Sequence, residues 1–200
     1  MLTSLTILKS HLLPPALRSR TDFDAQLTLL GRGVLAGMEG FLNRKLIRLE
    51  DAVEKVSARC TVVSLSRFPI EAVPTIQLTT AGPTGTTSTI TDYARVNLDA
   101  GLVHFFTPPG AQHDTLSLTY TGGFWVDTSA EQDGELPAGA TALEPDILTA
   151  WLLQMKAVTQ AMNLFNTASA GSKDNAPTDA ASLDLSPLVK DLLNDYRRFS

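Results

Sequence analysis

The stretch Glu144-Pro-Asp-Ile-Leu-Thr-Ala-Trp151 opens a helix that decides how the rest of the chain is arranged. Proline at the first helical position has no N–H to leave unpaired, and Asp146 in the first turn complements the helix dipole. Apolar side chains then recur at steps of three and four residues, which predicts one buried helical face. The members of this face are Ile147, Leu148, Trp151, Leu152, Met155, Val158, Met162 and Phe165. We therefore predict a long bundle helix over residues 143–166.

A second helix of the same kind is predicted upstream, near residues 22–46. Its apolar face consists of Leu27, Leu30, Val34, Leu35, Met38, Phe41 and Leu42. The same stretch contains Gly31, Gly33, Gly37 and Gly40, and each glycine destabilises a helix interior by about 1 kcal/mol relative to alanine. Close approach of another backbone would compensate, and a locally weak or kinked helix is the alternative. With a short helix expected within residues 5–13, residues 1–52 are predicted to supply the N-terminal helices of the bundle.

Between the two long helices the apolar periodicity changes from helical to alternating. Turn-forming Gly, Pro and Asp residues divide this region into five predicted β segments. The segments cover residues 58–65, 73–80, 86–96, 102–106 and 115–120. Short strands joined by such turns form a small antiparallel sheet or barrel. Residues 53–142 are therefore predicted to be a β lobe inserted into a helical bundle, which is an α+β fold.

The chain closes with a polar segment and one more helix. Residues 167–185 are mostly small and polar, which predicts a flexible linker. Residues 186–200 begin with an N-cap serine and a proline, and they carry an apolar stripe that must be buried. We predict that this tethered helix docks on a neighbouring subunit or partner, and folding back onto its own bundle is the alternative. The predicted partner-binding residues are Leu188, Val189, Leu192, Leu193, Tyr196 and Phe199, with Arg197 and Arg198 as rim charges.

Residue types that carry catalysis do not converge in the sequence. His11, His104 and His113 are scattered, without the paired spacing of a zinc site, and His104 reads as a sheet residue. Cys60, the only cysteine, is predicted to be a small buried strand residue rather than a nucleophile. The glycine-rich stretches match no phosphate-binding motif. We therefore predict that the protein is not an enzyme and holds no cofactor or metal.

Charge and hydropathy exclude several further classes. The net charge of −5 argues against a protein whose main function is to bind nucleic-acid phosphates. Apolar runs are too short for a membrane span, and the N-terminus lacks the basic region of a signal peptide. A single cysteine fits a reducing cytoplasm.

Six short motifs follow one another in a characteristic order. They are Arg67-Phe-Pro-Ile-Glu-Ala-Val-Pro-Thr-Ile-Gln-Leu78, Thr91-Asp-Tyr93, Asp99-Ala-Gly-Leu-Val103, Leu116-Ser-Leu-Thr-Tyr-Thr-Gly-Gly-Phe124, Glu144-Pro-Asp-Ile-Leu-Thr-Ala-Trp151 and Leu192-Leu-Asn-Asp-Tyr-Arg-Arg198. Their order and spacing resemble those of the head–tail connector (adaptor) proteins of tailed bacteriophages. The resemblance covers the chain from about residue 20 onwards.

The resemblance implies a structural virion protein located in the neck, and in the host cytoplasm during assembly. It implies a homo-oligomeric ring, commonly of twelve copies, which binds under the portal protein and joins the capsid to a neck or tail-completion protein. DNA would pass through the ring without specific binding, and no membrane is involved. The alternatives are a head-closure or tail-terminator ring protein and, from another class, a carbohydrate-acting or carbohydrate-binding protein, for which Trp125 and Tyr93 are the candidate aromatic residues.

Overall fold

The computed structural model describes residues 1–82, 85–129, 134–162 and 184–198. The chain divides into a helical unit and a β unit. Unit 1 comprises Met1–Asn43, Val126–Glu135 and Leu143–Ser200, and unit 2 comprises Arg44–Trp125 and Leu136–Ala142. Helices and antiparallel sheets are thus both present, and the predicted α+β fold is confirmed.

Unit 1 contains four α-helices in its described residues. They are α1 (Leu5–Leu12), α2 (Asp24–Leu42), α3 (Pro145–Ala161) and α4 (Pro187–Leu193), with short 3-10 turns at Pro15–Leu17 and Asn194–Tyr196. The predicted helix 22–46 ends earlier, because Asn43 adopts a left-handed conformation with φ of 53°. Its N–H donates to backbone carbonyls of the last helical turn, which is a common way to end a helix.

Trp151 of α3 organises the core of unit 1. It is fully buried, and its indole N–H donates a 3.1 Å hydrogen bond to the carbonyl oxygen of Gly31 in α2. A Cβ atom at position 31 would lie only 3.0 Å from Cζ2 of this indole. The close approach at Gly31 is therefore made by side chains, those of Trp151 and Met1, and not by the backbone that the sequence predicts. At Gly40 an added Cβ would meet nothing within 4 Å.

Unit 2 is built from nine short strands in its described residues. They are β1 (Leu49–Ser57), β2 (Val62–Ser64), β3 (Thr75–Thr79), β4 (Thr87–Ile90), β5 (Arg95–Asn97), β6 (Leu102–His104), β7 (Thr115–Gly122), β8 (Phe124–Trp125) and β9 (Thr141–Ala142). One antiparallel sheet has the order β1-β7-β3-β4 and another has the order β2-β6-β5. Strands β8 and β9 form a two-residue parallel pair.

Strand β7 is central to the larger sheet, and its side chains alternate between buried and half-buried. Leu116, Leu118 and Tyr120 enter the core of unit 2. The Tyr120 hydroxyl donates to the Glu54 carboxylate of β1 and accepts a 3.2 Å hydrogen bond from the N–H of Arg67. The same carboxylate accepts from the N–H of Ser66 at 2.9 Å and from its hydroxyl at 2.6 Å. A half-buried polar cluster thus joins β1, β7 and the segment after β2.

Several predicted boundaries are corrected by the structure. Residues 1–52 are not all helical bundle, because unit 2 begins at Arg44 and β1 begins at Leu49. The start of β1 lacks a buried alternating pattern, since Leu49 and Val53 are exposed and only Ala52 between them is buried. The predicted strand 86–96 is two strands, β4 and β5, which belong to different sheets.

The remaining boundaries concern the return to unit 1. Residues 126–135 belong to unit 1 and not to the predicted lobe 53–142. There the Asp127 carboxylate accepts hydrogen bonds from the N–H groups of Ser129, at 2.8 Å, and Gly134, at 2.9 Å. Helix α3 occupies 145–161 of the predicted 143–166. Residues 163–166, with Phe165, and residues 167–183 of the predicted linker lie outside the described residues.

Gly31 and Gly40, two of the four glycines of α2, give a matched pair of stability predictions. We expect Gly31→Ala to lower the free energy of unfolding by about 1–3 kcal/mol, because the new methyl group overpacks against Trp151. We expect Gly40→Ala to raise it by about 0.5–1 kcal/mol, because alanine is the better helix former and the space is open. Urea titration of both variants checks this, and equal effects would contradict the assigned role of Gly31.

Tyr120 predicts how stability depends on alkaline pH. Burial and, second, the hydrogen bond to Glu54 raise the pKa of Tyr120 to about 12 from 10.0. The unfolded chain therefore loses this proton first, so the stabilisation is complete below about pH 10 and is lost progressively up to about pH 12. We expect the stability advantage of the native chain over Tyr120→Phe to shrink across that range. Chemical unfolding at several pH values measures it, and a constant difference would contradict the prediction.

Candidate functional site

Helix α4 begins at a well-defined cap. The Ser186 hydroxyl accepts a 3.4 Å hydrogen bond from the N–H of Val189, and Pro187 occupies the first helical position. Just before the cap, Leu185 is buried. The last residue of the predicted linker 167–185 is therefore part of the packed structure.

Gln154 of α3 fastens the start of α4. Its side chain is buried, its Nε2 donates to the carbonyl oxygen of Asp184 at 3.0 Å, and its Oε1 accepts from the N–H of Ser186 at 3.0 Å. One amide thus satisfies a backbone acceptor and a backbone donor on either side of Leu185. Sequence reasoning missed Gln154, although a glutamine between Trp151 and Met155, on the buried side of α3, is the signal that could have found it.

The apolar stripe of α4 is used mainly within the chain. Val189 and Leu193 are buried in unit 1, where α4 packs on α3, and Leu192 is half-buried. The helix packs on its own bundle, which is the alternative given above, and this corrects the prediction that Val189 and Leu193 serve as anchors for a partner. Leu188 differs from them, since 60% of its surface is exposed. Its role in partner binding stays a prediction.

Tyr196 lies in the 3-10 turn that follows α4, beside the acidic start of α3. Burial, followed by the negative charges of Asp146 and Glu144, raises the pKa of its hydroxyl. The phenolate form is therefore disfavoured next to these carboxylates. Because Tyr196 is half-buried against its own unit, only part of its surface remains available to another molecule.

The two predicted rim arginines are attached to the end of α2. The guanidinium of Arg197 lies over the ring of Phe41, 5.0 Å from its centroid, and the backbone N–H of Arg198 donates to the carbonyl oxygen of Leu42 at 3.0 Å. This second bond pairs one of the carbonyl groups that a helix end leaves without a partner inside the helix. Phe199 lies outside the described residues.

What remains exposed on this helix is narrower than the sequence predicts. We call Pro187, Leu188, Lys190, Asp191 and Asp195 the α4 surface, because these exposed residues belong to α4 or to the 3-10 turn that follows it. Leu188 is the large apolar side chain among them, and Asp191, three residues further on, lies on the same side of the helix. Apolar and charged side chains side by side are found in small protein–protein contacts.

Side chains for chemistry do not gather in the parts of the chain that the structure describes. Within residues 1–82, 85–129, 134–162 and 184–198, no three His, Cys, Asp or Glu side chains are placed to hold a metal ion. His104 lies in β6, as predicted. Cys60 is exposed, which corrects its predicted burial, because it lies in a turn before β2 begins at Val62. Among the described helices none is both long and apolar enough to cross a membrane.

The aromatic residues considered for carbohydrate binding are partly enclosed. Tyr93 is half-buried and packs against the core of unit 2, and Trp125 is half-buried in β8.

The chain matches no known protein family and no curated protein. It is similar in fold to two solved structures. One is the neck of an empty gene transfer agent (GTA) particle computed with C6 symmetry, with a TM-score of 0.60 and 18% identity over 97% of this chain and 88% of that chain. The other is the virion of a native GTA particle, with a TM-score of 0.59 and 16% identity over the same shares of the two chains. At these identities the similarity establishes the fold, over nearly the whole length of both chains.

The two hydrogen bonds of the Gln154 side chain predict that this residue stabilises the docking of α4 on α3. Gln154→Leu removes the hydrogen bonds to the carbonyl of Asp184 and from the N–H of Ser186, so we expect the free energy of unfolding to fall by about 1–3 kcal/mol. Amide hydrogen exchange in α4 should accelerate more than in α2. Gln160→Leu changes an exposed glutamine of the same helix and serves as the control. Unchanged amide exchange in α4 would contradict this role of Gln154.

Proposed function

We propose that this protein is a structural component of the neck of a tailed-phage-like particle. More narrowly, it is a head–tail connector (adaptor) that forms a ring under the portal protein and joins the capsid to the next neck or tail component. The observation that carries the proposal is the match of 97% of the chain to a chain in a neck structure. The ordered motifs from Arg67 to Arg198 support the connector assignment independently, because they come from the sequence and not from the fold.

A ring is supported by the symmetry of the related assembly. That neck was computed with C6 symmetry, and a ring of twelve copies is compatible with a six-fold axis. Closed rings of identical subunits need two different surfaces on each subunit that contact each other head to tail. A chain of two units, each with exposed large apolar side chains, can supply two such surfaces.

The distribution of charge is compatible with a channel through which DNA passes without being bound. Unit 2 has seven basic and seven acidic residues, so the net charge of −5 resides in unit 1. Neither unit is basic enough to hold phosphates through many Lys and Arg contacts. We propose that the protein works without enzymatic activity, in the virion, after assembly in the host cytoplasm.

The α4 surface is our candidate for the contact with the portal. Val189 and Leu193 belong to the core of unit 1, so removing the helix would disturb folding as well as docking. Changing exposed Leu188 alone avoids that problem.

The test mixes the purified protein with the portal protein of the same particle and measures the masses of the complexes. We expect the native chain to join the portal as a ring. We expect Leu188→Ser to weaken the complex about tenfold, because a leucine side chain contributes about 1.5–3 kcal/mol when it is buried. Leu136→Ser, which changes an exposed leucine of unit 2, is the control. Absence of portal binding would overturn the connector role, and binding to tail tube instead would favour a head-closure or tail-terminator ring.

A further inference from the structure

An exposed aromatic side chain projects from a fixed loop of unit 2. Phe106 has 71% of its surface exposed, whereas the preceding Phe105 is buried in the core. Thr107, Pro108 and Pro109 follow, and proline restricts the backbone on this side of the loop. We call residues 106–109 the Phe106 knob.

Hydrogen bonds hold both ends of this loop. The N–H of Phe105 donates to the carbonyl of Thr61 at 2.8 Å, and the N–H of Gly110 donates to the carbonyl of Ala58 at 3.1 Å. Next to it, the Asp114 carboxylate accepts from the N–H of Ala111 at 2.7 Å and from the N–H of Ala81 at 2.8 Å. A loop that is already ordered loses little conformational freedom on binding. Its exposed phenyl ring is therefore preorganised to insert into another surface.

A concave surface of suitable size, lined by three leucines and three polar residues, occurs on unit 1. Side chains of α1 and α3 enclose a groove of about 320 Å³, lined by His11, Leu12, Thr149, Leu152, Leu153 and Lys156. Leu153 is 37% exposed at the groove, although leucine is usually buried. For comparison, a cavity of about 150 Å³ accepts a benzene molecule. The groove therefore has room for a phenyl ring and part of the loop that carries it.

Charges beside the knob and the groove have opposite signs. Asp92 lines a depression of about 230 Å³ together with Ile90, Phe106 and Pro108, so a carboxylate accompanies the knob. Lys156 lines the groove, and its ammonium group supplies the opposite charge. Complementary charges at the edge of a contact fix its register and suppress wrong partners.

From these observations we infer that the Phe106 knob of one copy occupies the α1–α3 groove of the next copy, with Asp92 facing Lys156 across the contact. This rests on the proposed ring and assigns it a subunit interface. Knob and groove are different surfaces, so the contact is head to tail and propagates around a closed ring. Each copy donates one knob and accepts one.

The first test exchanges the charges in the full-length chain. Asp92→Lys opposes Lys156 with a second cation, and Lys156→Asp opposes Asp92 with a second anion. We expect each single variant to raise the concentration at which half the chains are multimeric by about tenfold or more. Sedimentation and native mass measurement at low ionic strength report that concentration. Asp99→Lys, which makes the same charge change in another exposed turn, should leave it unchanged.

Mixing the two single variants gives the sharper result. In an alternating ring of Asp92→Lys and Lys156→Asp chains, every knob again meets a groove of opposite charge. We therefore expect a 1:1 mixture, and also the double variant, to recover the assembly of the native chain. A contact with an unrelated partner, or within one chain, cannot be restored by mixing.

The second test addresses the phenyl group of Phe106. Phe106→Ser removes the apolar knob and should weaken assembly about ten- to a hundredfold, while Phe106→Leu should retain most of it. All the altered side chains are exposed, so thermal unfolding should be close to that of the native chain.

The outcomes separate the two proposals. If the native chain forms multimers and the single variants form them equally well, the knob contact is overturned and the ring stands. If the native chain stays monomeric alone but joins the portal, the same variants are compared on the portal, where unchanged binding overturns the contact. A native chain that neither multimerises nor joins the portal overturns the proposed function as well.

Discussion

The fit of Trp151 against Gly31 is the constraint on which unit 1 depends. An indole occupies a fixed volume, and its N–H must be paired once it is buried, so the facing helix needs a carbonyl oxygen with an accessible lone pair and a missing side chain. Gly31 supplies both. With α2 and α3 in contact through that pair, the next turn of α3 places Gln154 and Met155 on the buried side. Gln154 then positions α4. A series of contacts thus extends from Trp151 to the last described residues.

The two units are stabilised mainly by different kinds of contact. Unit 1 relies on helices that share an apolar core, with single polar side chains such as Gln154 fastening backbone groups. Unit 2 relies on strand pairing and on carboxylates that fasten neighbouring backbone: Asp114 accepts from two N–H groups and Glu54 from the N–H of Ser66. Asp127 fastens a loop of unit 1 in the same way. Rigid loops carry exposed side chains at defined positions, which is what a subunit of a symmetric assembly requires. The proposed ring therefore depends on unit 2 for accurate presentation and on unit 1 for a firm receiving surface.

Much of the helical architecture was predictable from the sequence, because amphipathic periodicity is local. The capped start of α4 and the apolar face of α3 from Ile147 to Val158 are present as predicted, whereas Met162 is exposed beyond the end of the helix. The surface that covers the α4 stripe was not predictable, because periodicity says that a face is buried but not by what. Gln154 was missed since its two backbone partners lie about thirty residues away. Phe106 was assigned to a strand because it follows Val103 and Phe105, although β6 ends at His104.

The exposed position of Cys60 has a consequence for redox chemistry. It is the only thiol in the chain and it lies on the surface of unit 2. One thiol forms one disulfide, so oxidation links chains in pairs and stops there, whereas a head-to-tail contact adds copies without such a limit. Disulfide-linked dimers, which a reductant separates, are therefore distinguishable by mass from a non-covalent ring of more than two copies. The same thiol is a single chemically addressable point on each copy.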